Sequence, residues 1–186
     1  QAVIGATLAT LAEFPDRELL GEDVIWSGTP ETGMLSSHRI LSTATHLGDG
    51  QYGQASQRKL KYRVIADCHA INNQIDDEWL IRDSGAIVRQ LGTTPEVFAL
   101  AQIELEGGAS RCATPFRPTN DISGPYQGQG NQSEWGQRYA QTLQRIMAAD
   151  MTTIKRSYDR ACQGEYPGGM SANGWAAVES FWLPLR

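Results

Sequence analysis

From residue 59 to residue 83, apolar and polar positions alternate with the period of a half-buried strand, break at Asn72-Asn73, and resume. The pattern predicts a β-hairpin over 59–71 and 74–83, because two adjacent asparagines suit a tight turn whose central residues need positive φ. Pairing Ala70 with Ile75 and continuing outward to Tyr62 and Asp83 sorts the side chains into two faces. Val64, Ala66, Cys68, Ile75, Trp79, Ile81 and Asp83 share one, which reads as a core or pocket wall. Arg63, Asp67, His69, Asp76, Glu78 and Arg82 share the other, which reads as solvated.

Elsewhere the first half predicts a helix over 2–12, stopped by Phe14-Pro15. A short strand over 23–27, turn chemistry over 28–33, a strand over 35–45 and a glycine-rich excursion over 46–53 follow. A helix over 84–91 is closed by Gly92. Helix followed by an antiparallel meander is α+β order. From about Glu106 to Gln132 the chain turns to Gly, Pro, Gln, Ser and Asn without apolar periodicity, so 1–95 is expected as one domain, 96–132 as linker, and 133–186 as helices. In that last part Trp135, Tyr139, Leu143, Ile146, Ile154 and Tyr158 recur at helical spacing, with Ser133 and Asp150 as candidate N-caps. After a break at 166–169, a final helix starting from Ser171 or Asn173 carries Trp175, Val178, Phe181 and Trp182, more aromatic than a free surface helix should be. It needs a sheet to cover.

A net charge of -5 without any Lys/Arg cluster argues against a nucleic-acid partner or an anionic membrane surface. No run reaches the roughly 18 apolar residues of a membrane span, and residues 2–12 lack the basic start of a signal peptide. Cys68, Cys112 and Cys162 are too scattered for a disulfide scaffold and, with three histidines, form no zinc spacing, so no metal is expected and a reducing cytoplasm is the default. Asp76-Asp77-Glu78 alternate across a strand and cannot converge on one ion.

Phe14-Pro15-Asp16, Thr45-His46-Leu47-Gly48 with Tyr52-Gly53, the hairpin ending Glu78-Trp79-Leu80-Ile81-Arg82-Asp83, and Gln90-Leu91-Gly92 together resemble the SnoaL-like polyketide-cyclase branch of the nuclear transport factor 2-like superfamily, over residues 2 to 92. The resemblance implies a cone of helices on a strongly curved antiparallel sheet, a deep and mostly apolar pocket, and a homodimer or tetramer. The family's usual opening helix does not precede residue 1; residues 150–168 look like it, and Ala177–Leu183 aligns with Ala2–Leu8. This suggests a circularly permuted unit or a window across two tandem units, with helices that complete this cone or are exchanged with a partner.

The resemblance further implies that Asp83 is a pocket acid/base acting on a small, apolar, carbonyl-bearing substrate without a cofactor, with His69 as second pocket residue. Asp83 also directly precedes a helix, so an N-cap role competes with catalysis. His69 falls on the opposite face in this register, so either a bulge corrects the parity or the carry-over fails. His38 and His46 are candidates for substrate hydrogen bonding, or else a satisfied strand histidine and a turn residue. Trp26, Tyr62 and Trp79 are candidate cavity walls, or else plain core. A non-catalytic ligand-binding or oligomerisation module of the same fold is the rival reading.

Overall fold

The computed structural model describes residues 2–112 and 133–185. The chain divides into two compact units, Gln1–Pro125 and Tyr126–Arg186. The first holds α1 (Ala2–Glu13), β1 (Glu18–Thr29), β2 (Gly33–Thr45), β3 (Lys59–Ile71), β4 (Gln74–Arg82), α2 (Ser84–Gln90) and α3 (Pro95–Leu105). The four strands form a curved antiparallel sheet in sequence order, so this unit is α+β.

Every second residue of β3 is buried, and the cross-strand partners extend that face through the sheet. Leu19 lies opposite Ser42, Ser42 opposite Tyr62, Ile40 opposite Val64 and His38 opposite Ala66. At the α2 end this inner face is capped by Ala86 and Ile87, which join Phe14, Ala44, Leu60, Tyr62 and Val64 in one core. Full burial of a side chain such as Ile87 or Phe14 contributes about 1.5–3 kcal/mol. That core fixes where the sheet meets its helices.

The hairpin turns at Asn72 and Asn73, with φ of 53° and 59°, and Ala70 pairs with Ile75 as the alternation predicts. Beyond that point the register differs from the expectation. A bulge between His69 and Ala70 leaves Asp76 without a partner, so His69 faces Asp77, Cys68 faces Glu78 and Val64 faces Arg82. The extra residue inverts the parity of the rest of β4. Glu78, Leu80 and Arg82 therefore belong to the inner face, and Trp79 and Ile81 to the outer one.

A second bulge, between Gly21 and Asp23, sets Glu22 out of the β1–β2 ladder. Its carboxylate accepts two bonds from the Arg63 guanidinium, at 2.9 and 3.0 Å, and lies 3.2 Å from Arg39 Nε, so it ties three strands together. The expected linker over 96–132 opens with α3, capped by Thr94 and started by Pro95; residues 113–132 lie outside the described residues.

The second unit holds α4 (Glu134–Met147), α5 (Thr152–Ser157), the strands β5 (Gln163–Tyr166) and β6 (Met170–Asn173), and α6 (Gly174–Trp182), with a short 3-10 turn after it. Ser133 caps α4 as expected, accepting the Gly136 N–H at 3.1 Å. The expected Asp150 cap is displaced by one residue to Met151, and Asp150 instead accepts the Thr153 hydroxyl at 3.0 Å. The break at 166–169 is the turn of the β5–β6 hairpin. Ile146, Ile154 and Val178 form a core of this unit's own, with Tyr158, Trp175 and Trp182 against it.

Hydrogen bonding from Arg63 holds the Glu22 carboxyl below the usual glutamate range. Its charge is therefore kept to lower pH in the folded chain than in the unfolded one, so the clamp stabilises above that range and the contribution is lost as pH falls through the folded value. Glu22→Gln is expected to lower the melting temperature at neutral pH, and the difference from the wild type to shrink as pH falls through the folded value of Glu22; thermal melts across an acid pH series check this.

Candidate functional site

Between α1 and the inner face of the sheet lies a cleft of about 860 Å³. Ala6, Ala9, Thr10 and Ala12 form its helical wall, and Leu19, Ile40, Tyr62, Val64 and Leu80 its sheet wall. Small side chains on the helix leave the space open. Its charged members are Glu13, Arg17, Asp49, Glu78 and Arg82.

Glu13 and His46 anchor one end. Pro15 stops α1 and the chain enters the core at Phe14, which leaves Glu13 only 4% exposed. Its carboxylate accepts the Tyr52 N–H at 2.8 Å and the Gln51 N–H at 3.2 Å, while its carbonyl accepts the N–H groups of Leu47 and Gly48. The glycine-rich excursion is thus wrapped around the end of α1. A Cβ on Gly48 would overlap the Ala12 carbonyl oxygen, and one on Gly50 would sit 2.6 Å from the Glu13 carboxyl carbon. Only glycine allows that approach.

His46 is 1% exposed, with Nε2 3.2 Å from Glu13 Oε1 and Nδ1 3.0 Å from the Ser56 hydroxyl. The Nε2 contact is close enough for attraction, but it is off the line of a hydrogen bond. The ring also packs on Phe14, with centroids 5.5 Å apart. His46 supports the cleft from behind and does not line it.

On the sheet wall Val64 and Arg82 are cross-strand partners. Arg82 Nε is buried and has no hydrogen-bond partner among the described residues. Glu78 faces Cys68, whose thiol is pushed up first by burial and then by the Glu78 and Asp67 charges, as befits an inert core cysteine.

Of the residues singled out from the sequence, Tyr62 lines the cleft. Asp83 does not: its Oδ1 accepts the Ala86 N–H at 2.9 Å as the N-cap of α2, and the inverted parity turns it from the inner face. His69 is on the outer face, where Nδ1 and Asp76 Oδ1 lie 2.6 Å apart and the ring covers Gly33. Trp79 shares that outer face and is 49% exposed. Trp26 and His38 are on inner-face positions outside the cleft; His38 Nε2 meets the Ser36 hydroxyl at 2.9 Å, and Trp26 is 67% exposed.

The sequence reading missed Glu13, Leu80 and Arg82. Glu13 is the last residue before Phe14-Pro15, a position where a buried acid leaves no pattern. Leu80 and Arg82 were hidden by the bulge.

No family model matches the chain, and the search of curated proteins returned no match. Among solved structures, AclR, a hydroxylase candidate from Streptomyces galilaeus, is similar over 50% of this chain and 66% of its own, at 18% identity and a TM-score of 0.44. IdmH, a polyketide cyclase candidate from Streptomyces antibioticus, is similar over 49% of this chain and 62% of its own, at 22% identity and a TM-score of 0.41. The chain therefore spans less than two thirds of the length of either.

Proposed function

We propose that the first unit binds a small, largely apolar molecule in the cleft between α1 and the sheet, as a member of the SnoaL-like group its motifs resemble. The cleft itself carries this reading. Its volume of about 860 Å³ falls within the roughly 300–1,000 Å³ of small-molecule sites, and aliphatic walls with a few charged groups are the usual composition of such sites. Binding is favoured over turnover by Asp83, because a proton-transfer group must reach the ligand and this carboxylate is occupied at a helix end. A second reading, association with another copy of the chain, is favoured by β1. This edge strand is exposed along its whole length and presents Val24, Ile25 and Trp26 at 49%, 68% and 67% exposure.

Leu80→Trp places an indole in the cleft and is expected to abolish the fluorescence enhancement of phenylnaphthylamine with the circular dichroism spectrum retained; undiminished enhancement removes the cleft as the site. Asp83→Ala is expected to cost about 1 kcal/mol through the lost cap while probe affinity stays within experimental error. A large drop in affinity with folding intact returns Asp83 to the ligand site. For self-association, Ile25→Lys is expected to shift the mass seen by light scattering from a multiple of the chain to a single chain, and a wild type that is already a single chain excludes this second reading.

A further inference from the structure

We infer that the ligand carries an anionic oxygen group, a carboxylate, sulfonate or enolate, and that Arg82 is the residue that selects it. This rests on the cleft being the binding site and adds the chemical class of what enters it. The argument starts from a cost. A guanidinium donor buried without a partner carries a desolvation cost that nothing offsets, and such donors are rare in folded proteins unless something else completes them. Arg82 Nε is such a donor, and its side chain forms part of the cleft wall.

The carboxylates that also line the cleft do not supply the missing acceptor. Both oxygens of Glu13 accept backbone N–H groups of the glycine-rich excursion. Asp49 Oδ1 accepts the Ala55 N–H at 2.8 Å. Glu78 is on the same face of β4 but four residues earlier, roughly 13 Å along the strand. Arg82 is thus a cation beside Val64, Ile40 and Leu80 in the cleft wall, where low dielectric strengthens attraction to a ligand anion. Arg17, in the turn after α1, supplies a second guanidinium to the same cleft. A guanidinium presents a planar fork that matches two oxygens of a carboxylate or sulfonate, and such charge-assisted bonds are about twice as strong as neutral ones. The apolar walls select the body of the molecule and Arg82 its charged end.

The test compares anilinonaphthalene sulfonate with its uncharged counterpart phenylnaphthylamine, titrated by fluorescence into the full chain and into Arg82→Gln and Arg82→Lys. The wild type is expected to prefer the sulfonate. Arg82→Gln is expected to weaken the sulfonate roughly tenfold or more while phenylnaphthylamine changes less than about twofold, and Arg82→Lys, which keeps the charge without the fork, to fall between. Equal losses for both probes, or no loss for either, overturn the inference while leaving the cleft as a binding site. If Arg82→Gln fails to fold, the wild-type preference and Arg82→Lys decide: a wild type that takes the uncharged probe at least as tightly overturns it. A wild type that enhances neither probe fails the underlying cleft reading as well, and that result is distinct because no variant is needed to see it.

Discussion

One unpaired residue in β4 decides what this sheet presents to its cleft. Strand side chains alternate strictly, so a single extra residue sends every later side chain to the opposite face. With Asp76 set out of the ladder, Leu80 and Arg82 point inward and Trp79 and Ile81 outward. The bulge has its own support, since His69 holds the displaced Asp76 carboxylate at 2.6 Å. The bulge in β1 is built in the same way, with displaced Glu22 gripped by Arg63 and Arg39. In both cases an acid pushed out of register is held by a base on a neighbouring strand. Each pair lets the sheet bend where a regular ladder would stay flatter, because bulges sharpen local twist.

The cleft also depends on how α1 is attached. An ordinary amphipathic helix lays an apolar stripe on its sheet and fills the space beneath. Here Ile4 and Leu8 are 64% and 60% exposed, and the residues toward the sheet are alanines and threonines. Attachment falls to the C-terminal end, where Phe14 enters the core and Glu13 binds the glycine-rich excursion through both its carboxylate and its carbonyl. A helix pinned at one end and lined with small residues leaves a hollow beside it. The buried Glu13–His46 contact belongs to this attachment, which accounts for a histidine near the cleft that does not open onto it.

Much of the fold was legible because the local signals were strong and agreed with tertiary packing. Alternation marked β3 and β4, Asn72-Asn73 marked the turn, Phe14-Pro15 marked the end of α1, and Ser133 marked the start of α4. The bulge in β4 was not legible, because Trp79-Leu80-Ile81 are three apolar residues in a row and give no parity to contradict a regular ladder. The strand β1 extends beyond the expected 23–27; the expected span is short because Gly21 and Glu22, residues depleted in strands, precede Asp23, and Gly28-Thr29 carries turn chemistry after it. The helix α3 was absorbed into a linker although Thr94-Pro95 is a sound helix start, since its mixed composition carries little amphipathic pattern. The candidate site fared worse than the fold because Asp83 and Trp79 were placed by the parity of one strand, while Trp26, His38 and His46 lie outside the cleft lining.

Arg82 and Asp83 show how far one step along a chain separates structural from binding chemistry. Adjacent strand residues face opposite ways, so the two charges cannot serve the same space. Asp83 meets the N-terminus of α2, where a carboxylate is favoured both by the free N–H groups and by the helix dipole. Spending that carboxylate on the cleft would leave a helix end that carries Ala86 and Ile87 into the core without its cap. Arg82, one residue earlier, has no such employment and sits against Val64 in the cleft wall. Of these two neighbours the acid is the one that stabilises the fold at a helix end, and the base is the one that lines the cleft.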